Sequence, residues 1–276
     1  IAREENGIDT LQSFFTESVA GDIVGSHGLA TIITMTNVFA HMASLGEVMR
    51  GLGRLLSPKG VFVTESQYPL DVLERNQFDG IYHEHIRTYS LKSLVTLAAA
   101  YGMDVFDVQR SERYGGNIRA YIARRGVFPI EPSVDALLAL EREVGLFTPA
   151  AWAAFRQRVR RNRDRCMDFM YSLRVRGMAV VGNSCPGRGS TLLNYYGIDR
   201  DLLPYIAELP ASLKLGLHVP GTHIPVIDNR RLFEDQPAYV LLLAWHYAEY
   251  MMQSLRQQGL TSAFVVPLPE FSVVDA

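Results

Sequence analysis

The sequence predicts an α/β protein made of two successive strand–helix units with parallel sheets. Three observations carry this. Leu29-Ala30-Thr31-Ile32-Ile33 is an uninterrupted β-branched run, the pattern of a buried parallel strand. Leu45, Val48, Met49, Leu52 and Leu55 then recur at helical spacing across 43–56, Ser57-Pro58-Lys59-Gly60 breaks the helix, and Gly60–Glu65 reads as the next strand. The same order returns after Gly177, where Met178-Ala179-Val180-Val181 is a strand, Gly182–Gly189 a tight loop, and Ser190–Tyr196 the start of a helix.

The remaining elements follow in chain order. Residues 1–28 are mixed, with an apolar group around Leu11 to Phe15. Ser90 is a good N-cap for a helix carrying Leu91, Leu94, Val95 and Leu97, which stops at Gly102. Strands are expected near Met103–Val108 and Ile118–Ala123, joined by the turn Tyr114-Gly115-Gly116-Asn117. A short helix falls near Val134–Val144. A long one follows, with Trp152, Phe155, Val159, Asn162, Cys166, Phe169 and Leu173 on a single seam. Its other faces are rich in arginine between Arg156 and Arg165; that reads as a solvated face, with a phosphate contact as the alternative. Further strands are expected at Leu203–Ala207, Tyr239–Leu243 and Ala263–Val266. The implied division is a first α/β domain over 1–126, a helical connection over 127–176, and a second α/β domain over 177–276.

Composition excludes several classes. Among 276 residues, 48% are hydrophobic and 20% charged, as in an ordinary globular protein, and a net charge of −2 argues against coating nucleic acid or an anionic membrane. Cys166 and Cys185 supply neither a disulfide framework nor a cysteine zinc site, which fits a reducing cytoplasm. The longest apolar run, Ala238 to Trp245, is far shorter than the ~18 residues a membrane span needs.

The densest chemistry lies in Phe78-Asp79-Gly80-Ile81-Tyr82-His83-Glu84-His85. Ligands of parallel sheets lie beyond the carboxyl ends of the strands. The loops 34–41 and 65–85 both leave from such ends, so His41 is expected to open onto the same crevice as His85. A zinc-protease helix would need histidine four residues after His83, where Arg87 stands. Three uses stay open. Histidine can act as general base, with Glu84 orienting it and Tyr82 donating to an oxyanion. His83 and His85 could instead hold a metal, or the stretch could be a polar loop without chemistry. The Gly182–Ser190 loop suits an anion at a helix N-terminus, although Arg188 and Gly189 stand where a P-loop has Lys and Ser or Thr. The first domain has no convincing glycine-rich cofactor loop: Gly51-Leu52-Gly53 lacks a third glycine and precedes its strand.

The chain resembles the S-adenosylmethionine-dependent sugar C-methyltransferases that act on nucleotide-linked keto-deoxysugars. The likeness is carried by Thr36–His41, Phe78–His85, Gly115–Arg119, Thr191–Tyr195 and Pro220–Pro225, in the family's order. It implies a class I methyltransferase (Rossmann-like) domain, here partial, followed by a second Rossmann-like domain, with an upstream zinc module and a glycine-rich donor loop expected before Ile1. It implies methyl transfer from S-adenosylmethionine to a ring carbon beside the keto group, in a cytoplasmic enzyme. Under it His85 removes the proton, Tyr82 and His41 stabilise the enolate or position the sugar, and Glu84 orients the base. Phe15, Thr36 and Asn37 would contact the methyl donor. Asn117, Arg119, Gly187, Arg188, Thr222 and His223 would meet the nucleotide sugar, and no metal is expected within this span. The alternatives are a non-catalytic nucleotide-sugar-binding protein, a truncated inactive enzyme and, more distantly, a metal-dependent hydrolase through His83 and His85.

Overall fold

The computed structural model describes residues 1–275. In chain order its elements are α1 (Glu17–His27), β1 (Ala30–Thr36), α2 (Leu45–Leu55), β2 (Leu56–Gln67), α3 (Pro69–Glu74), α4 (Leu91–Ala100), β3 (Met103–Ser111) and β4 (Asn117–Arg124). Then come α5 (Pro132–Glu143), α6 (Pro149–Val175), β5 (Val180–Asn183), α7 (Gly189–Tyr196), β6 (Ile206–Glu208) and β7 (Val226–Asp228). The last elements are α8 (Arg230–Asp235), β8 (Tyr239–Leu242), α9 (Ala248–Gln257), β9 (Ala263–Val266) and β10 (Ser272–Val274).

The contacts divide the chain into two interleaved units. The first holds Ile1–Ser66, Ile86–Ser111 and Ile118–Leu140; the second holds Gln67–His85, Glu112–Asn117 and Glu141–Ala276. This differs from the consecutive division expected at 126 and 177. The segment 67–85 groups with the second unit because its buried polar side chains find their partners there, as described below.

In the first unit the described strands form a sheet in the order β1-β2-β4-β3, with β1 parallel to β2. The expected buried strand at 29–33 is instead at the end of that order, and Leu29 and Ile32 are 50% and 67% exposed. Helix α2 buries Val48, Met49, Leu52 and Leu55, the periodic positions seen in the sequence.

In the second unit the order is β10-β9-β8-β5-β6-β7, parallel from β9 to β7, with β10 antiparallel at the end. The central strands β5 and β8 bury Val180, Val181, Val240, Leu241 and Leu242, which is why they read as continuous apolar runs. Chain order reverses direction at β5, which lies between β8 and β6. That is the topological switch point where open α/β sheets bind ligands. The short β7 and β10 were not foreseen: three residues are too few to show a period. Thr148 caps α6 by accepting from Ala151 N, and Pro149 supplies its first turn. The seam of α6 is buried at Phe155, Val159, Asn162, Cys166 and Leu173, while Trp152 and Phe169 are half-buried. Its Asn162 is fully used, donating to the Tyr196 hydroxyl at 3.0 Å and Pro267 O at 2.6 Å while accepting from Phe271 N.

Candidate active site

The stretch 78–85 is neither strand nor long helix. It begins with a 3-10 turn, Phe78–Gly80, and continues as turns through His85. Phe78 anchors it by packing on Tyr195 and Tyr196 of α7, with ring centroids 4.9 and 5.7 Å away.

Asp79 anchors it a second time. Its side chain is wholly buried, and the Arg188 guanidinium grips it as a fork, Nε to Oδ2 at 2.8 Å and Nη2 to Oδ1 at 2.7 Å. The Trp245 indole N–H donates to the same Oδ2 at 2.8 Å. Arg188 further donates to Gln77 Oε1 and to the Tyr114 carbonyl, and lies over the Trp245 ring. Arg188, expected to meet an anion, is bound here to a buried carboxylate, and these contacts tie residues 77–79 to it. Gly187, its neighbour, lies against the loop directly: a Cβ there would meet Tyr82 Cε2 at 3.7 Å.

His85 stands at the end of the loop with Nδ1 3.0 Å from Gln67 Oε1 and 3.0 Å from the Gly80 carbonyl oxygen. Both partners are acceptors when the Gln67 amide is so oriented. Nδ1 therefore carries the proton and Nε2 the lone pair. A Cβ at Gly80 would displace the Gln67 amide from its place beside His85. The ring of Tyr82 lies 4.6 Å from that of His85. Burial, and then the charge and hydrogen bond of Glu84, push the Tyr82 hydroxyl above its ordinary value, so it stays a phenol that can donate. Gln67 and Gly80 hold His85 Nδ1, and Glu84 acts on the Tyr82 hydroxyl. Among the described residues no three His, Cys, Asp or Glu side chains gather as a metal site.

The carboxyl ends of the second sheet enclose a cavity of about 550 Å³. Asn183 and Ser184 line it from the end of β5, Glu208 from β6, Ala244 and Tyr247 from the end of β8, and Tyr250 from α9. The loop that begins at Ser184 in the cavity wall reaches the Tyr82 ring at Gly187. The Trp245–Tyr247 turn was not singled out in the sequence. Its usable signal is a Trp-His-Tyr triplet directly after an apolar strand, at the edge where parallel sheets bind.

The other expected residues fall as follows. Thr222 is buried, with its hydroxyl on the Val219 carbonyl, while His223 is exposed in a left-handed turn with φ 57°. Asn194 of α7 ties this loop down by donating to the Pro220 carbonyl, which links two of the sequence motifs structurally. Asn117 is buried at the start of β4. In the first unit, Arg119 Nε and Nη2 both bind Glu65 Oε2, at 2.7 and 2.6 Å, and this pairing raises the guanidinium pKa. Thr36 is exposed at the end of β1, and Asn37 follows it in a left-handed conformation, φ 53°, its N–H on the Glu65 carbonyl. His41 closes the 3-10 turn Phe39–His41 just beyond. The Phe15 ring rests against Gly51 of α2, 3.0 Å from where a Cβ would stand.

Residues 112–269 match the family described as the C-methyltransferase C-terminal domain, and residues 4–108 match a methyltransferase domain. The C-methyltransferase NovU of Streptomyces niveus is 32% identical over 274 residues, covering 99% of this chain. The chain spans 65% of that relative's length.

Proposed function

We infer, since the chain belongs to the C-methyltransferase family, that it prepares a ring carbon of a nucleotide-linked keto-deoxysugar for methylation. The observation that supports this reading best is the hydrogen bonding of His85. With Nδ1 donating toward Gln67 and Gly80, Nε2 is the nitrogen that can accept a proton. The keto group of the sugar acidifies the neighbouring C–H, and His85 Nε2 takes that proton. Tyr82, kept a phenol by burial and by Glu84, donates to the oxygen on which negative charge develops. Asp79, Arg188 and Trp245 fix the loop, so that base and donor are aimed before substrate arrives. The nucleotide takes the cavity at the ends of β5, β6 and β8, with Asn183, Ser184 and Glu208 as polar contacts.

S-adenosylmethionine, when bound, supplies the methyl group. Exposed Thr36, and Asn37 in its left-handed turn, present polar groups at the carboxyl end of β1 and fit such a ligand; His41 on the next turn extends that set. Phe15 fits less well, because its ring lies on α2.

The test is the full-length protein with S-adenosylmethionine and a nucleotide-linked 4-keto-6-deoxyhexose. His85→Asn keeps a hydrogen-bonding group near Nδ1 but removes the base, and turnover should fall about 10²–10⁴-fold with the sugar-nucleotide KM little changed. Turnover within a few-fold of wild type would remove His85 as the base.

A further inference from the structure

The arginine-rich side of α6 has no part in the chemistry above, and its arginines divide by what they face. Arg158, Arg161 and Arg165 stand three and then four residues apart, which places them on one face of the helix. With Asn76, Asn162 and Glu270 they line a second cavity of the second unit, of about 300 Å³. Arg156 and Arg160 are exposed and do not line it, and Arg163 is paired with Asp164. We propose that this cavity binds a phosphoryl dianion, either inorganic phosphate or the phosphate ester of a small metabolite.

Two of the three arginines are held in place before a ligand arrives. Arg158 donates from Nε to Asn76 Oδ1 at 3.1 Å and from Nη2 to the Leu73 carbonyl. Asn76 is itself buried and donates to the Pro269 carbonyl at 3.0 Å. The Arg165 guanidinium lies over the Phe271 ring, 5.8 Å from its centroid, and Nη2 donates to the Phe271 carbonyl at 3.4 Å. These contacts leave Nη1 of both side chains to a ligand. Arg161 is exposed and makes no hydrogen bond or ion pair among the described residues, so all its N–H groups remain to be used. Charge then selects the ligand. Three guanidinium groups share the cavity with one carboxylate, Glu270, and none of the three is ion-paired among the described residues. The excess of two positive charges matches a dianion, and the fork of a guanidinium matches two oxygens of a phosphoryl group. The volume admits a phosphate with a small organic group attached.

The experiment is a calorimetric titration of the full chain with inorganic phosphate and, separately, with glucose 1-phosphate, at constant ionic strength and with thermal midpoints recorded. Wild type should bind at one site with a Kd of about 1 mM or below, as two or three charge-assisted hydrogen bonds allow. Arg161→Gln and Arg165→Gln should each weaken binding about tenfold. Arg160→Gln, on the same helix but outside the cavity, should leave it within about twofold of wild type, since an exposed distant charge is screened. Glu270→Gln should tighten it. A preference for glucose 1-phosphate would mark the ligand as an ester, and a preference for inorganic phosphate as the free ion; either supports the assignment. No saturable binding of either probe by wild type at about 10 mM would overturn it, that concentration lying well above the Kd those contacts predict. So would equal losses in Arg160→Gln and Arg161→Gln, which mark diffuse attraction to a basic helix. Full affinity in both Arg161→Gln and Arg165→Gln, with midpoints unchanged, would place the phosphate elsewhere and overturn it as well.

Discussion

Each unit sets an arginine on a buried carboxylate, and the two pairs are built differently. In the first unit, Glu65 is 2% exposed and takes both Arg119 contacts on one oxygen, while the Arg119 side chain keeps 35% of its surface in water. In the second, Asp79 is fully buried, Arg188 is 11% exposed, and both carboxylate oxygens are used, with an indole N–H added. From sequence, both arginines read as phosphate ligands. The structure distinguishes them by what each has left to offer. Arg119 retains exposed surface that can still meet an anion, whereas Arg188 is enclosed and bound to the Asp79 loop.

The comparison can be broken most sharply at Arg188. Arg188→Met leaves Asp79 charged and buried with only Trp245 to answer it, and should cost about 3–5 kcal/mol in denaturant unfolding. Activity should fall further than stability accounts for, because the Tyr82–His85 loop loses its tether. Arg119→Met should cost less, about 1–2 kcal/mol by the same measurement, since water can reach the side of the pair that Arg119 vacates. Equal costs would show that exposure does not separate the two. A further effect is a pH dependence specific to the second unit. The folded-state pKa of His246 is lowered to about 4 from an ordinary 6.5. Between those values the unfolded chain binds more protons than the folded one, so this contribution to stability is complete above pH 6.5 and is lost as pH falls toward 4. In His246→Phe, the thermal midpoint should therefore depend less on pH across that window.

The parts legible in the sequence are those decided locally. Strands β2 and β5, helix α2 and the seam of α6 show their periods because burial of one face or both repeats every few residues. Tyr82 and His85 stand out because titratable groups are crowded together there. Distant contacts decided the rest. Asp79 carries no local signal of its anchoring contacts, since Arg188 and Trp245 lie 109 and 166 residues away in sequence. Gln67 reads as an ordinary polar residue at a strand end, and only the folded loop brings it to His85. The contacts group the chain otherwise than in consecutive stretches, because strand and helix patterns do not show which unit an intervening loop will join.

That interleaving has a consequence for anyone recombining these proteins. A chimera joined at residue 126, the boundary the sequence suggests, would exchange Arg188 and Trp245 while keeping the Asp79 loop that depends on them. The loop and the side chains that hold it would then come from different parents. The portable cassette is discontinuous: residues 67–85 and 112–117 must travel with 141 onward.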